Sequence, residues 1–260
     1  ALERGEHLIA ESHLDMIEES PQSLIRRARI YRYRGDNNSA QKAESEALKS
    51  LSPAERVRLQ ISSLVRCYDD RLPGESSAVN IEQLSQVDFS LIPDTDKSAA
   101  ALSINLLRHA LALDSGDVEA VANTRSYLAV SLGEDHPLLS LIDLRTRLSF
   151  DTPDSLEIAR KYIEEEEDLM SRTRAILFAL ESSHPEIPQW LKNQHAMIKT
   201  GSLRKDLPSH RRLVAQCWYW RGVLEPNMRL SHWREAINRF KSAECSKASS
   251  ELLVKLSRSL

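Results

Sequence analysis

Cysteine, glycine and aromatic side chains are all scarce in this chain. Three cysteines in 260 residues, Cys67, Cys217 and Cys245, stand far apart with no C-x-x-C pair. An odd number at wide spacing argues against a disulfide framework or a thiolate zinc site, and buried free thiols in a reducing compartment are the expectation. Seven glycines, spread singly, leave no material for a phosphate-cradling loop, and neither G-x-x-x-x-G-K-[ST] nor G-x-G-x-x-G occurs. H-E-x-x-H and G-x-S-x-G are missing as well. No apolar run approaches about 18 residues, so no membrane-spanning helix is expected. The start, "ALERGEHLIAES", is charged and lacks a signal-peptide core; it does not begin with Met, and a piece of a longer protein is one expectation. The formal net charge of −3 gives no global attraction to nucleic acid or to an anionic membrane.

What is present favours helix. The chain is 41% hydrophobic and 28% charged, values of the soluble globular class, and Leu, Ala, Glu, Arg and Ser dominate it. Helices are expected at about 3–19, 21–34, 37–50, 53–71, 79–89, 96–114, 117–132, 137–149, 154–182, 186–200, 207–224, 230–245 and 247–259. The clearest begins at "SPAERVRLQISSLVRCYDD", where Ser52, Pro53 and Glu55 make a capping box. Val57, Ile61, Leu64, Val65, Tyr68 and Leu72 then fall on one helical stripe. Irregular loops are expected near 73–80 and 90–97, and no alternating stretch suggests a sheet. The fold class expected is all-α, with antiparallel helix pairs over a single domain, 1–260.

Such pairs form either a globular bundle or a stacked solenoid, and internal period distinguishes the two. Pro21 and Pro53 are 32 residues apart, as are Pro153 and Pro185. With Pro21 as position 1, Ala28, Tyr31, Gly35, Ala40 and Ala47 take positions 8, 11, 15, 20 and 27. Arg27 and Glu44 take positions 7 and 24. A second partial copy lies in "WYWRGVLEPNMRLSHWREAINRFKSAE". There Ala215, Trp218 and Gly222 precede Ala236, Phe240 and Ala243, with about nine extra residues in the turn. A third is "ALDSGDVEAVANTRSYLAVSLGEDHP", whose Gly116-Asp117 echoes Gly35-Asp36. These stretches resemble the tetratricopeptide repeat, in which small residues let paired helices approach closely; Arg27 and Glu44 depart from its pattern, which is usually apolar at positions 7 and 24. The ending "LGEDHP" resembles the inter-repeat turn of the kinesin-light-chain type. The resemblance implies helix pairs stacked into a right-handed superhelix, an α-solenoid; the alternative is a generic helical bundle.

Titratable clusters are few. His7, His13, His109, His136, His184, His195, His210 and His232 are scattered and read as surface or turn residues, not metal ligands. Residues 151–170 hold eight acidic and two basic side chains, a local net of −6, and lack the alternation and glycine turn of a calcium loop. A solvated helix face is the expectation there. Residues 192–221 hold seven basic and one acidic side chain, a local net of +6, including Lys199, Arg204, Lys205, Arg211 and Arg212. Trp190, Trp218, Tyr219 and Trp220 lie nearby. Interleaved basic and aromatic groups suit single strands, but Trp218 and Trp220 point to different sides of a helix and at least one belongs to a core. Nucleic acid is therefore disfavoured as a partner.

The resemblance also implies a groove lined by positions 2, 5, 9, 12 and 13 of the first helix of each pair, here Gln22, Ile25, Arg29, Arg32 and Tyr33. Two arginines there fit an acidic or carboxylate-bearing partner; alternatively the run Arg26, Arg27, Arg29, Arg32 and Arg34 solvates the helix. The chaperone-binding subclass carries Lys at position 5 and Asn at position 9, where this chain has Ile25 and Arg29. The expected function is a non-enzymatic protein-interaction module, an adaptor or scaffold gripping a peptide or helix, with Trp218 and Trp220 as further partner-binding residues. It is expected without cofactor, metal or catalytic residues, and inside the cell, in cytoplasm or nucleus. A regulatory or sensor segment of a multidomain transcription or signalling protein is the second reading, and an all-helical enzyme the third.

Overall fold

A computed structural model describes residues 7–258. Among the described residues there are fourteen α-helices and no strand. They are α1 (His7–Leu14), α2 (Pro21–Arg34), α3 (Asn37–Ser50), α4 (Pro53–Asp69), α5 (Ile81–Ser85), α6 (Asp94–Ser115) and α7 (Val118–Leu132). After these come α8 (Pro137–Ser149), α9 (Ser155–Glu165), α10 (Leu169–Ser183), α11 (Gln189–Ala196), α12 (Pro208–Leu224), α13 (Arg229–Ser242) and α14 (Ser246–Ser257). The sequence suggests one domain; the packing gathers into two compact units.

The first unit takes the chain through Ser52, the segment Asp69–Pro73, and the chain from Lys199 onward. Its frame is two antiparallel pairs, α2 with α3 and α12 with α13; α1 packs on α2, and α14 packs on α13 and touches α2. Small residues set the spacing. Ala28 and Ala40 are buried between α2 and α3 with Leu24 and Tyr31 against them, and Ala47 is buried too. Ala215, Ala236 and Ala243 share a core with Phe240, Leu252 and Leu256. Burying a Phe such as Phe240 contributes roughly 1.5–3 kcal/mol. α1 buries only His7, Ala10 and Leu14, and a helix under about 12 residues is marginal alone, so its order depends on α2. The part of the expected helix at 3–6 lies outside the described residues.

The second unit holds Pro53–Tyr68 and Gly74–Ile198. α6 pairs with α7, and α8, α9 and α11 pack around α10. Val57, Ile61 and Tyr68 of α4 meet Leu84, Ile104 and Leu107 in one core. The helical stripe of α4 is thus divided. Leu72, expected to continue it, lies beyond the helix and is buried with Phe240 in the first unit.

The echo of Gly35-Asp36 in Gly116-Asp117 has a structural meaning. Both glycines end a helix in the left-handed region, φ 82° and φ 71°. Asp36 accepts from the Ser39 N–H and Asp117 from the Ala120 N–H, so each caps the next helix. One dipeptide therefore stops one helix and starts the next, which closes both hairpins with minimal loop.

Several expected boundaries shift where polar side chains compete with the helix. The stretch 154–182 is two helices, because Asp168 caps α10 by accepting from the Ser171 N–H, and in one continuous helix the like charges of Glu164 with Glu167 and Asp168, and of Glu165 with Asp168, would repel at i,i+3 and i,i+4 spacing. Those acids remain largely solvent-exposed. The stretch 79–89 keeps only α5, boxed by Asn80 and Gln83. Asp88 accepts from Ser90 and starts a short 3-10 turn at 89–91.

Candidate partner-binding site

α2 presents the groove positions unequally. Gln22 is exposed and Ile25 half-buried. Arg29 donates from Nε to both carboxylate oxygens of Glu244, at 3.0 and 3.2 Å. Arg32 pairs with Glu44 at 2.5 Å, with only 12% and 15% of the two side chains exposed. The unusual acid at position 24 is thereby explained: Glu44 neutralises an arginine on the facing helix. The Tyr33 ring stacks on His7, centroids 4.3 Å apart and 5° from parallel. Arg27, at the other departing position, pairs with Asp15 and donates to the Leu14 carbonyl, while Arg34 pairs with Glu11. Four of the five arginines of α2 therefore hold the chain's own acids.

Glu244 was not indicated by the sequence. It follows α13 with φ +64° and is 3% exposed. His7 Nε2 lies 3.5 Å and an Arg211 guanidinium nitrogen 3.9 Å from its carboxylate. Burial acts to raise its carboxyl, but the His7 hydrogen bond and the Arg29 charge and hydrogen bonds hold it below the ordinary value. A non-glycine residue in left-handed backbone carries no mark in a single sequence, and its partners lie far away in the chain.

The expected basic patch is divided: Lys199, Arg204 and Lys205 are exposed, Lys192, Arg212 and Arg221 half-buried, and Arg211 internal. Arg211 is buried and donates to the carbonyls of Ser242 and Lys205, at 2.9 Å each. Arg212 pairs with Asp69 at 3.1 Å, and Arg204 with Asp206 at 2.9 Å. Of the two tryptophans, Trp220 is 3% exposed; it belongs to the core and offers no contact surface. Trp218 is half-buried, with the Arg221 guanidinium 4.4 Å above its ring. His232 tilts against the same ring at 5.5 Å and lies 3.0 Å from Glu225. This rim, at the turn end of the α12–α13 hairpin, places Trp and Arg side by side.

Four histidines expected at the surface are buried instead: His7, His109, His195 and His210. His109 bridges three helices, with ring nitrogens 3.0 and 3.2 Å from the hydroxyls of Thr124 and Thr146. Burial, helped by nearby Arg145, pushes its pKa down to about 4. Cys217 and Cys245 are buried, the former pushed up to about 12 by desolvation. Cys67 departs from the expectation and is exposed. Among the described residues no group of three or more His, Cys, Asp or Glu could hold a metal ion. No described helix is long and apolar enough to cross a membrane. No family model, curated protein or solved structure matches this chain.

Proposed function

We propose that this chain is a non-enzymatic protein-interaction module, an adaptor or scaffold whose helix pairs bind a peptide or helix of a partner. The observation that carries the reading is the burial of small residues at repeat-like positions in two hairpins of one unit. These are Ala28, Ala40 and Ala47 in one and Ala215, Ala236 and Ala243 in the other. Close approach of this kind is what lets tetratricopeptide pairs stack into a superhelix with an extended binding face, and the right-handed superhelix is the finer form of the proposal. Trp218 beside Arg221 supplies the anchor, since Trp and Arg carry a large share of binding energy at protein interfaces. Charge favours an acidic partner: Lys205, Arg234 and Lys241 are exposed and have no carboxylate in ion-pair reach among the described residues.

The test is affinity capture with the immobilised full chain and a Trp218→Ala/Arg221→Glu double variant, compared by quantitative mass spectrometry. Circular dichroism verifies the fold of both. At least one protein held by the wild type should fall about tenfold or more with the variant, the effect of losing roughly 1.4 kcal/mol of contact. Identical capture by both chains removes the rim from the proposal.

A further inference from the structure

The outer face of α13 carries positive charge that nothing in its own helix answers. Leu230, Arg234, Asn238 and Lys241 are exposed there. Leu230, Arg234 and Lys241 fall within about 40° of one another around the helix, on one line. Arg234 and Lys241 stand two turns apart, about 10 Å along the axis. His232, which meets Trp218, points to the opposite side, so this line is separate from the Trp218 rim.

Other exposed helix cations have an acid one turn away. Arg239 pairs with Glu235, Arg160 with Glu164 and Lys247 with Glu251, at 2.6, 3.0 and 3.7 Å. Arg234 has no acid three or four residues away. Glu244, three beyond Lys241, is buried against Arg29. Neither cation has a carboxylate in ion-pair reach among the described residues.

A third cation joins them. The Arg211 guanidinium donates to the Ser242 carbonyl and to the Lys205 carbonyl, at 2.9 Å each. It thereby ties the segment ahead of α12 to the last turn of α13, beside Lys241. Lys205 is exposed and likewise lacks a carboxylate in reach among the described residues. One buried side chain thus assembles Arg234, Lys241 and Lys205 into a single basic strip with Leu230 at its head.

The strip selects its occupant by chemistry. It holds no aromatic ring on which a base could stack. Leu230 alone is too little apolar surface to enter a bilayer. Exposed ion pairs are weak singly, so affinity requires several acids held at matching spacing. A helix holds carboxylates at that spacing, with an apolar residue one turn further along the same line.

We propose that the outer face of α13 docks an acidic amphipathic helix of a partner protein. Two of its carboxylates, two turns apart, meet Arg234 and Lys241; an apolar side chain meets Leu230, and acids beyond the pair meet Lys205. This deepens and rests on the reading of the chain as an interaction module, at a face distinct from the Trp218 rim.

The experiment titrates the nitrogen-15-labelled full chain with a capped alanine–glutamine peptide of about 18 residues, long enough to form helix. Two glutamates stand seven apart, the separation of Arg234 and Lys241, with a leucine one turn beyond each. Amide shifts should concentrate between Leu230 and Ser242 and at Lys205. An isomeric peptide with its glutamates on opposite helix faces should bind about threefold or more weakly, since it keeps one ion pair of two. Arg234→Glu/Lys241→Glu should weaken the matched peptide about tenfold or more, and a peptide with lysines for glutamates should bind that variant and not the wild type. Circular dichroism verifies folding. Arg234→Gln/Lys241→Gln, which adds no repulsion, should weaken binding about threefold or more, and it carries the comparison if the reversed chain does not fold. Equal binding of the two isomers overturns the helical match, and unchanged binding by the variants overturns the strip. If oligothymidylate or equimolar phosphatidylcholine–phosphatidylserine vesicles shift the same amides at lower concentration than the matched peptide, the partner class is overturned. Lost capture at the Trp218 rim with peptide binding retained on α13 fails the rim alone; retained capture without peptide binding fails this strip alone.

Discussion

The indole of Trp233 lies against the backbone of Gly222, so closely that a β-carbon built there would stand 2.2 Å from the indole Cδ1. The ring has little freedom to retreat. Its Nε1 donates to the Tyr219 carbonyl at 3.1 Å, Tyr219 stacks parallel to it, and the Arg229 guanidinium covers it at 5.4 Å. Two effects oppose each other in Gly222→Ala. Alanine gains about 1 kcal/mol of helix propensity over glycine, while overpacking costs about 1–3 kcal/mol. With the ring held on three sides the steric cost wins, and a net loss of up to about 2 kcal/mol is expected by urea denaturation of the full chain. An unchanged or raised midpoint would mean that Trp233 turns away freely.

The parts of this fold that the sequence makes legible are those decided by local chemistry. Helix ends at Gly35-Asp36 and Gly116-Asp117 are written in two adjacent residues, and α2, α3 and α8 span the ranges expected for them. Burial of Ala28, Ala40 and Ala47 follows from spacing in the same way. What the sequence hides is decided by chain segments that meet from afar. Leu72 looks like one more residue of the α4 stripe, yet it packs with Phe240. Arg29 and Arg32 look like groove residues, yet Glu244 and Glu44 claim them. His109 shows no neighbour in sequence that would bury it; Thr124 and Thr146 come from two other helices. Charge pairing is blind to sequence distance, so the site residues were the least legible part.

Acid should weaken the second unit through His109. Its folded pKa is depressed to about 4 from an ordinary 6.5, so the unfolded chain takes up a proton at a pH where the folded chain does not. Stability from the neutral ring is fully present above about pH 6.5, falls as the pH drops toward 4, and is lost below that. A shift of this size corresponds to about 3 kcal/mol, as an order of magnitude. Replacing His109 with Gln keeps hydrogen-bonding capacity toward the two threonines and removes the titration. The slope of unfolding free energy between pH 4 and 6.5 should therefore flatten in His109→Gln relative to the wild type. Parallel pH profiles for the two chains would show that the ring titrates normally.

α14 begins without a cap of its own, since Cys245 at its N-terminus provides no side-chain acceptor. Asp70 supplies one from the far side of the chain. Its carboxylate accepts the N–H groups of Lys247 and Ala248 at 3.0 and 2.9 Å, across 177 and 178 residues of sequence. The Arg212–Asp69 pair and buried Leu72 hold that short segment in place. The arrangement satisfies two orphan donors and sets a negative charge at the positive end of the helix. Asp70→Ala should cost about 1–2 kcal/mol, as loss of an N-cap does, whereas Asp70→Asn keeps an acceptor and should cost less. Hydrogen exchange separates capping from a diffuse effect: the amides of Lys247 and Ala248 should lose protection in Asp70→Ala before those at the middle of α14. If both amides exchange as in the wild type, the first turn of α14 is held by its apolar face, through Ala248 and Leu252, and Asp70 is dispensable to it.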